Sequence, residues 1–220
     1  TQNWHIYDTA KTFSAGKKVL FDIAGTNSVP VTISSSLAPG EVVVNASKNY
    51  TFQGNGSLTG TMNLIKTGWG TLTLDNNNDY SGNTLADMGS LTINGTLSQS
   101  KVIVESNGKI GGSGKVLNGL TLNSRAAAFP GNGAAGADTL HITGTFVLGG
   151  KNTLHFDLSD DPSGVTKTND VIDVTGNITT TGKNIIDIGL INTALGTGTY
   201  TLIKYSHRYE SVFFGIMIHD

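Results

Sequence analysis

The sequence predicts an all-β chain wound into a β-solenoid, and three observations predict it. One apolar–polar–apolar pattern returns along the chain, as TLTLD (71–75), SLTIN (90–94), KVIVE (101–105), GLTLN (119–123), TLHIT (139–143), TLHFD (153–157), VIDVT (171–175) and IIDIG (185–189). The composition is rich in Thr (29 residues), Gly (29) and Asn (20), which suits strands joined by tight turns. No stretch places apolar residues at i, i+3, i+4 and i+7, as an amphipathic helix requires.

Each repeated segment alternates with period two, so each is a strand with one buried face. The first apolar residues are Leu72, Leu91, Val102, Leu120, Leu140, Leu154, Ile172 and Ile186, separated by 19, 11, 18, 20, 14, 18 and 14 residues. A sandwich of hairpin-linked strands is the competing architecture. It gives no reason to reuse one small motif in strand after strand, whereas a solenoid needs an interior apolar pair in every rung. Leu72, Leu74, Leu91, Ile93, Leu120, Leu122, Leu140 and Ile142 are therefore expected in one continuous core.

The whole chain, 1–220, reads as a single solenoid domain. Residues 1–60 form less regular N-terminal coils, with KKVLFDIAG, VPVTISSS, EVVVNAS and NYTFQGNGSLTG still reading as strands. Residues 200–220 read as a C-terminal cap, in which Phe213, Phe214, Ile216, Met217 and Ile218 cover the open end of the stack. Trp4 is expected to cap the first coil.

The formal net charge is −2, and no basic cluster occurs. That argues against nucleic acid, whose phosphates require several nearby Lys or Arg. No apolar run is long enough to span a bilayer. Cysteine is absent, which leans toward an exported bacterial protein, secreted or held at the cell surface. The first residue is Thr1 without a preceding Met, which is the expectation for a fragment of a larger multidomain protein.

One stretch carries a resemblance. Lys66-Thr67-Gly68-Trp69-Gly70-Thr71-Leu72-Thr73-Leu74, then Tyr80-Ser81-Gly82, then Gly89-Ser90-Leu91, resembles the autotransporter-associated β-strand repeat, K-x-G-x-G-x-L-x-L followed by Y-x-G-x-T and G-x-L. The resemblance implies a right-handed parallel β-helix and specifies no activity. Such repeats are found in autotransporter passengers and in modular polysaccharide-degrading proteins. In size and style the chain is also similar to a β-helical carbohydrate-binding module family attached to bacterial xylanases. Where the repeat carries a small residue between its glycines, this chain carries Trp69.

That departure selects the candidate site. An indole face matches the C–H face of a sugar ring, and rigid aromatics make good binding anchors. The polar loop after the strand, with Asp75, Asn77 and Asp79, can hydrogen-bond sugar hydroxyls, and Tyr80 is a candidate second stacking ring. Against this, Asn and Asp also serve turns, and the resemblance makes Tyr80 a corner-packing residue. The EF-hand spacing for calcium is missing. His141, His155, Asp173 and Asp187 share the middle position of four strands. They are expected to form one outward row, with a metal or a solvated polar face as its two readings. The fragment carries two arginines, Arg125 and Arg208, no nucleophile elbow and no phosphate loop, so no enzyme activity and no cofactor are expected. The leading expectation is non-catalytic binding of a plant cell-wall polysaccharide such as xylan. The alternatives are an autotransporter adhesin fragment and a ligand-free spacer.

Overall fold

The computed structural model describes the backbone of residues 4–6, 9–24, 30–131, 138–165, 169–191, 194–208 and 214–218. Side chains are described over the same ranges except 4–6, 9–11, 207–208 and 214–218. Within these residues the regular structure is all strand, and the strands stack as a parallel β-solenoid.

The chain winds past three faces. The first is built from Lys18–Asp22, Glu41–Asn45 and Asn63–Thr67, then the start of Thr84–Ile93, the start of Val102–Gly112, Leu120–Leu122 and Phe146–Leu148. The second runs through Tyr50–Gln53, Thr71–Leu74, the later part of Thr84–Ile93, the end of Val102–Gly112, Ala127–Pro130, Thr153–Leu158 and Asn184–Leu190. A narrower third face begins as single bridges at Leu37–Leu58 and Asn78–Leu97. It then widens through Lys115–Val116, Thr139–Thr143, the start of Val171–Thr180 and the start of Ile203–Arg208, while Ile178–Thr180 continues the first face beside Phe146–Leu148.

Registers pair like with like: Leu72 with Leu91, Val102 with Leu120, Leu140 with Ile172, and Leu154 with Ile186. The repeated motif therefore belongs to three faces rather than one column, which is why its intervals look uneven in sequence. The motif leucines expected inside, from Leu72 to Ile142, are at most 1% exposed and join one core cluster running from Val19 to Ile188. Each such side chain contributes about 1.5–3 kcal/mol of burial free energy.

The N-terminal strands continue the same parallel ladders, with Val42 opposite Val19 and Leu64 opposite Val42. At the other end the backbone of Phe214–Ile218 pairs in parallel with Asn184–Leu190. The side chains expected to cap the ends, Trp4 and the Phe213–Ile218 group, lie outside the described residues.

Candidate functional site

Trp69 sits at the corner between the first and second faces, and its surroundings answer why a tryptophan stands between two glycines. Gly68 has φ +72°, and a Cβ there would lie 2.6 Å from the Ala46 carbonyl oxygen of the preceding coil. A Cβ at Gly70 would lie 2.2 Å from the Lys48 carbonyl oxygen. The two turns are stacked backbone on backbone, so the glycines are required by the neighbouring coil. The residue between them has no room inward and points out: Trp69 is 74% exposed.

Beneath the turn, Lys66 occupies an inward position, aligned with Val44 and Ala86 on the neighbouring coils. Its Nζ donates to the carbonyls of Thr67 (3.0 Å), Gly68 (2.7 Å) and Met88 (3.0 Å). Burial pulls its ammonium down to about 8, and the three carbonyls give the charge acceptors at neutral pH. The lysine of the repeat motif is thus an internal clamp that ties two consecutive turns together. Beside the corner, Thr67 Oγ1 donates to Asp87 Oδ2 on the next coil at 3.1 Å.

The loop after the strand divides by parity. Asp75, Asn77 and Asp79 point out, while Asn76 and Asn78 are buried. Asn78 Oδ1 accepts from the Leu58 amide at 2.8 Å, and Asn76 Nδ2 donates to the Gly56 carbonyl at 3.0 Å. The inner amides replace an apolar pair at a corner where backbone groups need partners. Asp75 Oδ1 accepts from Asn94 Nδ2 at 2.8 Å.

One expectation fails here. Tyr80 is fully buried, with its hydroxyl 2.6 Å from Thr84 Oγ1, so its ring cannot stack on a ligand. Burial pushes that hydroxyl well above the ordinary phenol range, against the opposing hydrogen bonds of Thr84 and Ser100. The ring belongs to the buried core cluster, which is the packing role the repeat resemblance implies. The strand Thr71–Leu74 lies between Trp69 and the outward Asp75, Asn77 and Asp79, and at strand rise it spans about 13 Å. The backbone of the turn that carries Trp69 stacks on residues 46–48 of one coil and on Gly89 of the next, a relation that sequence distance conceals.

The expected single row of His141, His155, Asp173 and Asp187 is also corrected, into two rows on different faces. On the third face Lys115, His141, Asp173 and Lys204 are in register, with His141 Nδ1 3.4 Å from Asp173 Oδ2. On the second face His155 Nδ1 lies 2.8 Å from Asp187 Oδ2, and its Nε2 lies 3.2 Å from Asp157 Oδ1. Burial lowers the affinity of His155 for its proton, but the Asp187 hydrogen bond and the Asp157 charge outweigh it, and the net shift is upward. The imidazole also packs on Phe129, centroids 5.2 Å apart, with Lys109 Nζ 5.5 Å from the centre of the Phe129 ring. Asp170, almost fully buried, accepts the amides of Asp138 (2.8 Å) and Asp157 (2.9 Å). Burial raises its carboxyl to about 6. Among the described residues no group of three or more His, Cys, Asp or Glu is arranged to hold a metal ion.

Sequence reasoning missed one surface. On the first face the outward residues Leu20, Val43, Ile65, Leu85 and Ile103 stand in register on successive coils. The alternation of the first-face strands is apolar on both sides, so the pattern hides which side is outside. All but Leu20 are half-buried by their stacked neighbours.

No family model matches the chain. Two curated proteins, each named Neisserial autotransporter lipoprotein NalP and from two strains of Neisseria meningitidis serogroup B, are 36% identical to it over 108 residues. The match spans 48% of this chain and 10% of each relative. The similarity favours the autotransporter expectation over the xylan-binding module, to which neither geometry nor comparison adds support.

Proposed function

We propose that this chain is a passenger-type β-solenoid segment of an autotransporter, displayed outside a bacterial cell as a rigid, non-catalytic adhesive element. The observation that carries it is the similarity to an autotransporter lipoprotein in a chain that folds as a parallel solenoid. A solenoid with one continuous core holds its corners in fixed relative positions, which suits presentation of contact groups along its length. Antibodies against residues 18–190 test this: they should label intact cells of the source bacterium, and external protease should remove the label. Labelling only after lysis would overturn it.

The contact group we infer is Trp69, with a glycan as its ligand. Its indole is exposed on a turn held by Lys66 and by the stacked glycines, so little order is lost on binding. The Thr67–Asp87 pair beside it offers hydroxyl and carboxylate partners for sugar hydroxyls. On a glycan array, Trp69→Ala should weaken any binding by about tenfold or more, the scale of aromatic stacking. Undiminished binding would move the site elsewhere.

A further inference from the structure

The geometry points to Asp161–Pro162 as a bond that the folded protein is arranged to break by itself in acid, dividing the chain into residues 1–161 and 162–220. Of the four prolines only Pro162 follows an aspartate. Proline nitrogen is a better leaving group than an ordinary amide nitrogen, because it is more basic once the amide resonance is lost. The aspartate side chain can close a five-membered ring onto its own main-chain carbonyl.

Three features of the loop suit that reaction. The Asp161 carbonyl oxygen accepts two firm hydrogen bonds, from Asn169 Nδ2 at 2.7 Å and from the Gly164 amide at 3.1 Å. Donors at these distances would stabilise the charge that gathers on that oxygen as its carbon becomes tetrahedral. Asp161 Oδ1 is bonded to the Ser163 amide at 2.9 Å and to Ser163 Oγ, which holds the carboxyl across the Asp161–Pro162 peptide. The Pro162 ring is pressed against the next coil: a Cβ at Gly198 would lie 2.6 Å from Pro162 Cγ, and one at Gly196 would lie 3.0 Å from Pro162 Cδ. The support is itself fixed. Ser159 is buried and bonds Asn169 Oδ1, and the Tyr200 hydroxyl donates to the Ser159 carbonyl.

In the reaction the protonated carboxyl of Asp161 attacks its own main-chain carbonyl carbon, forming a C–O bond. The carboxyl proton passes to the Pro162 nitrogen and the C–N bond breaks. Asp161 is left as a cyclic anhydride and Pro162 as a free secondary amine, which takes up a proton from the acidic solvent. Water then opens the anhydride to two carboxyls. One water is consumed overall, and no oxidant, reductant or cofactor is needed. The rate should rise as pH falls to about 4 and below, where carboxyl groups take up their proton.

The test is intact-mass analysis of the whole chain incubated at pH 4, folded or unfolded in urea at the same pH. Generic acid lability of an Asp–Pro bond gives equal or faster cleavage in urea. The proposal expects the folded protein to release fragments 1–161 and 162–220 at least about tenfold faster than the unfolded chain. Hydroxylamine added to the folded sample should capture the anhydride as a hydroxamate on fragment 1–161. Asn169→Ala should reduce the folded rate about tenfold or more, toward the urea rate. Circular dichroism confirms that this variant is folded, and Ser163→Ala, which removes the hydroxyl bond to the Asp161 carboxyl but keeps the amide bond, serves as the second variant and should also slow folded cleavage. Folded cleavage no faster than in urea, cleavage at another bond, or no hydroxamate would overturn it.

Discussion

The coils before about residue 130 and those after it share one core but close their corners by different chemistry. In the earlier coils, Ser100 bonds Gly82 and Thr71 bonds Asn49, pairs 18 and 22 residues apart. In the later coils Asn152 bonds Ala126 and Asn184, pairs 26 and 32 residues apart. Both sets stack backbone on backbone at glycines, as Gly70 over Lys48 and Gly176 over Gly144, but a tight corner also takes a buried lysine as a clamp. The wide corners have extra residues, and these gather carboxylates: buried Asp170 lies beside Asp157 and His155, and Ser159 and Asn169 bond around Asp161. The core specifies the rung, and the length left over decides which titratable groups a corner holds, a lysine at the tight corner and carboxylates at the wide ones.

Deleting core volume should break the comparison most severely. Phe156→Ala should cost about 3–5 kcal/mol. If stability is a sum over neighbouring coils, hydrogen exchange should quicken in residues 138–190 while residues 41–110 keep their protection. Equal loss of protection throughout would mean that both regions unfold as one unit.

Gly70→Ala tests the tight corners alone. Its Cβ meets the Lys48 carbonyl at 2.2 Å, and overpacking of this kind costs about 1–3 kcal/mol. The denaturation midpoint should fall, with local exchange quickening at 46–49 and 68–71. A neutral result would show that the turns are not in rigid contact.

The two regions should answer pH in opposite senses. Folded Asp170 keeps its proton to about pH 6, whereas the unfolded chain releases it near 3.8. The folded state binds more protons in that window, so the wide region should lose stability as pH rises through it. His155 adds in the same sense: its raised folded affinity stabilises below its ordinary 6.5, and that contribution is lost as pH rises through the folded value. For Asp170 the loss is on the order of 1–2 kcal/mol after allowance for screening. Lys66 acts the other way. It releases its proton at about 8 when folded but near 10.5 when unfolded, so the tight region should gain stability as pH climbs between those values. Unfolding curves across pH 4–10 check both windows. Asp170→Asn should flatten the acidic one and leave the alkaline one in place.

The smallest effect on stability belongs to Trp69→Ala, expected within about 0.5 kcal/mol because the side chain is exposed. A larger loss would show that the indole packs on the coil surface.

The sequence by itself determined the rung. Period-two alternation and near-identical motifs require strands with one buried side, and parallel stacking lets the same small pattern serve every coil. The inward leucines from Leu72 to Ile142 were legible for that reason, and so was the structural role that the repeat resemblance implies for Tyr80. The exposure of Trp69 was legible too, since a large ring between two glycines has nowhere to go in a tight turn. Only the tertiary structure decided which residues become neighbours. Coil length changes along the chain, from 18 residues between Ser100 and Gly82 to 32 between His155 and Asp187. Positions that look equivalent in sequence therefore fall on different faces, and His141 and His155 part company. The Thr67–Asp87 pair forms beside the Trp69 corner because pairing across coils brings residues about 4.8 Å apart, although 20 residues separate the two in sequence. The environments of Lys66, Asp170 and the Asp161 carbonyl come from contacts between coils, and no local pattern in the chain encodes them.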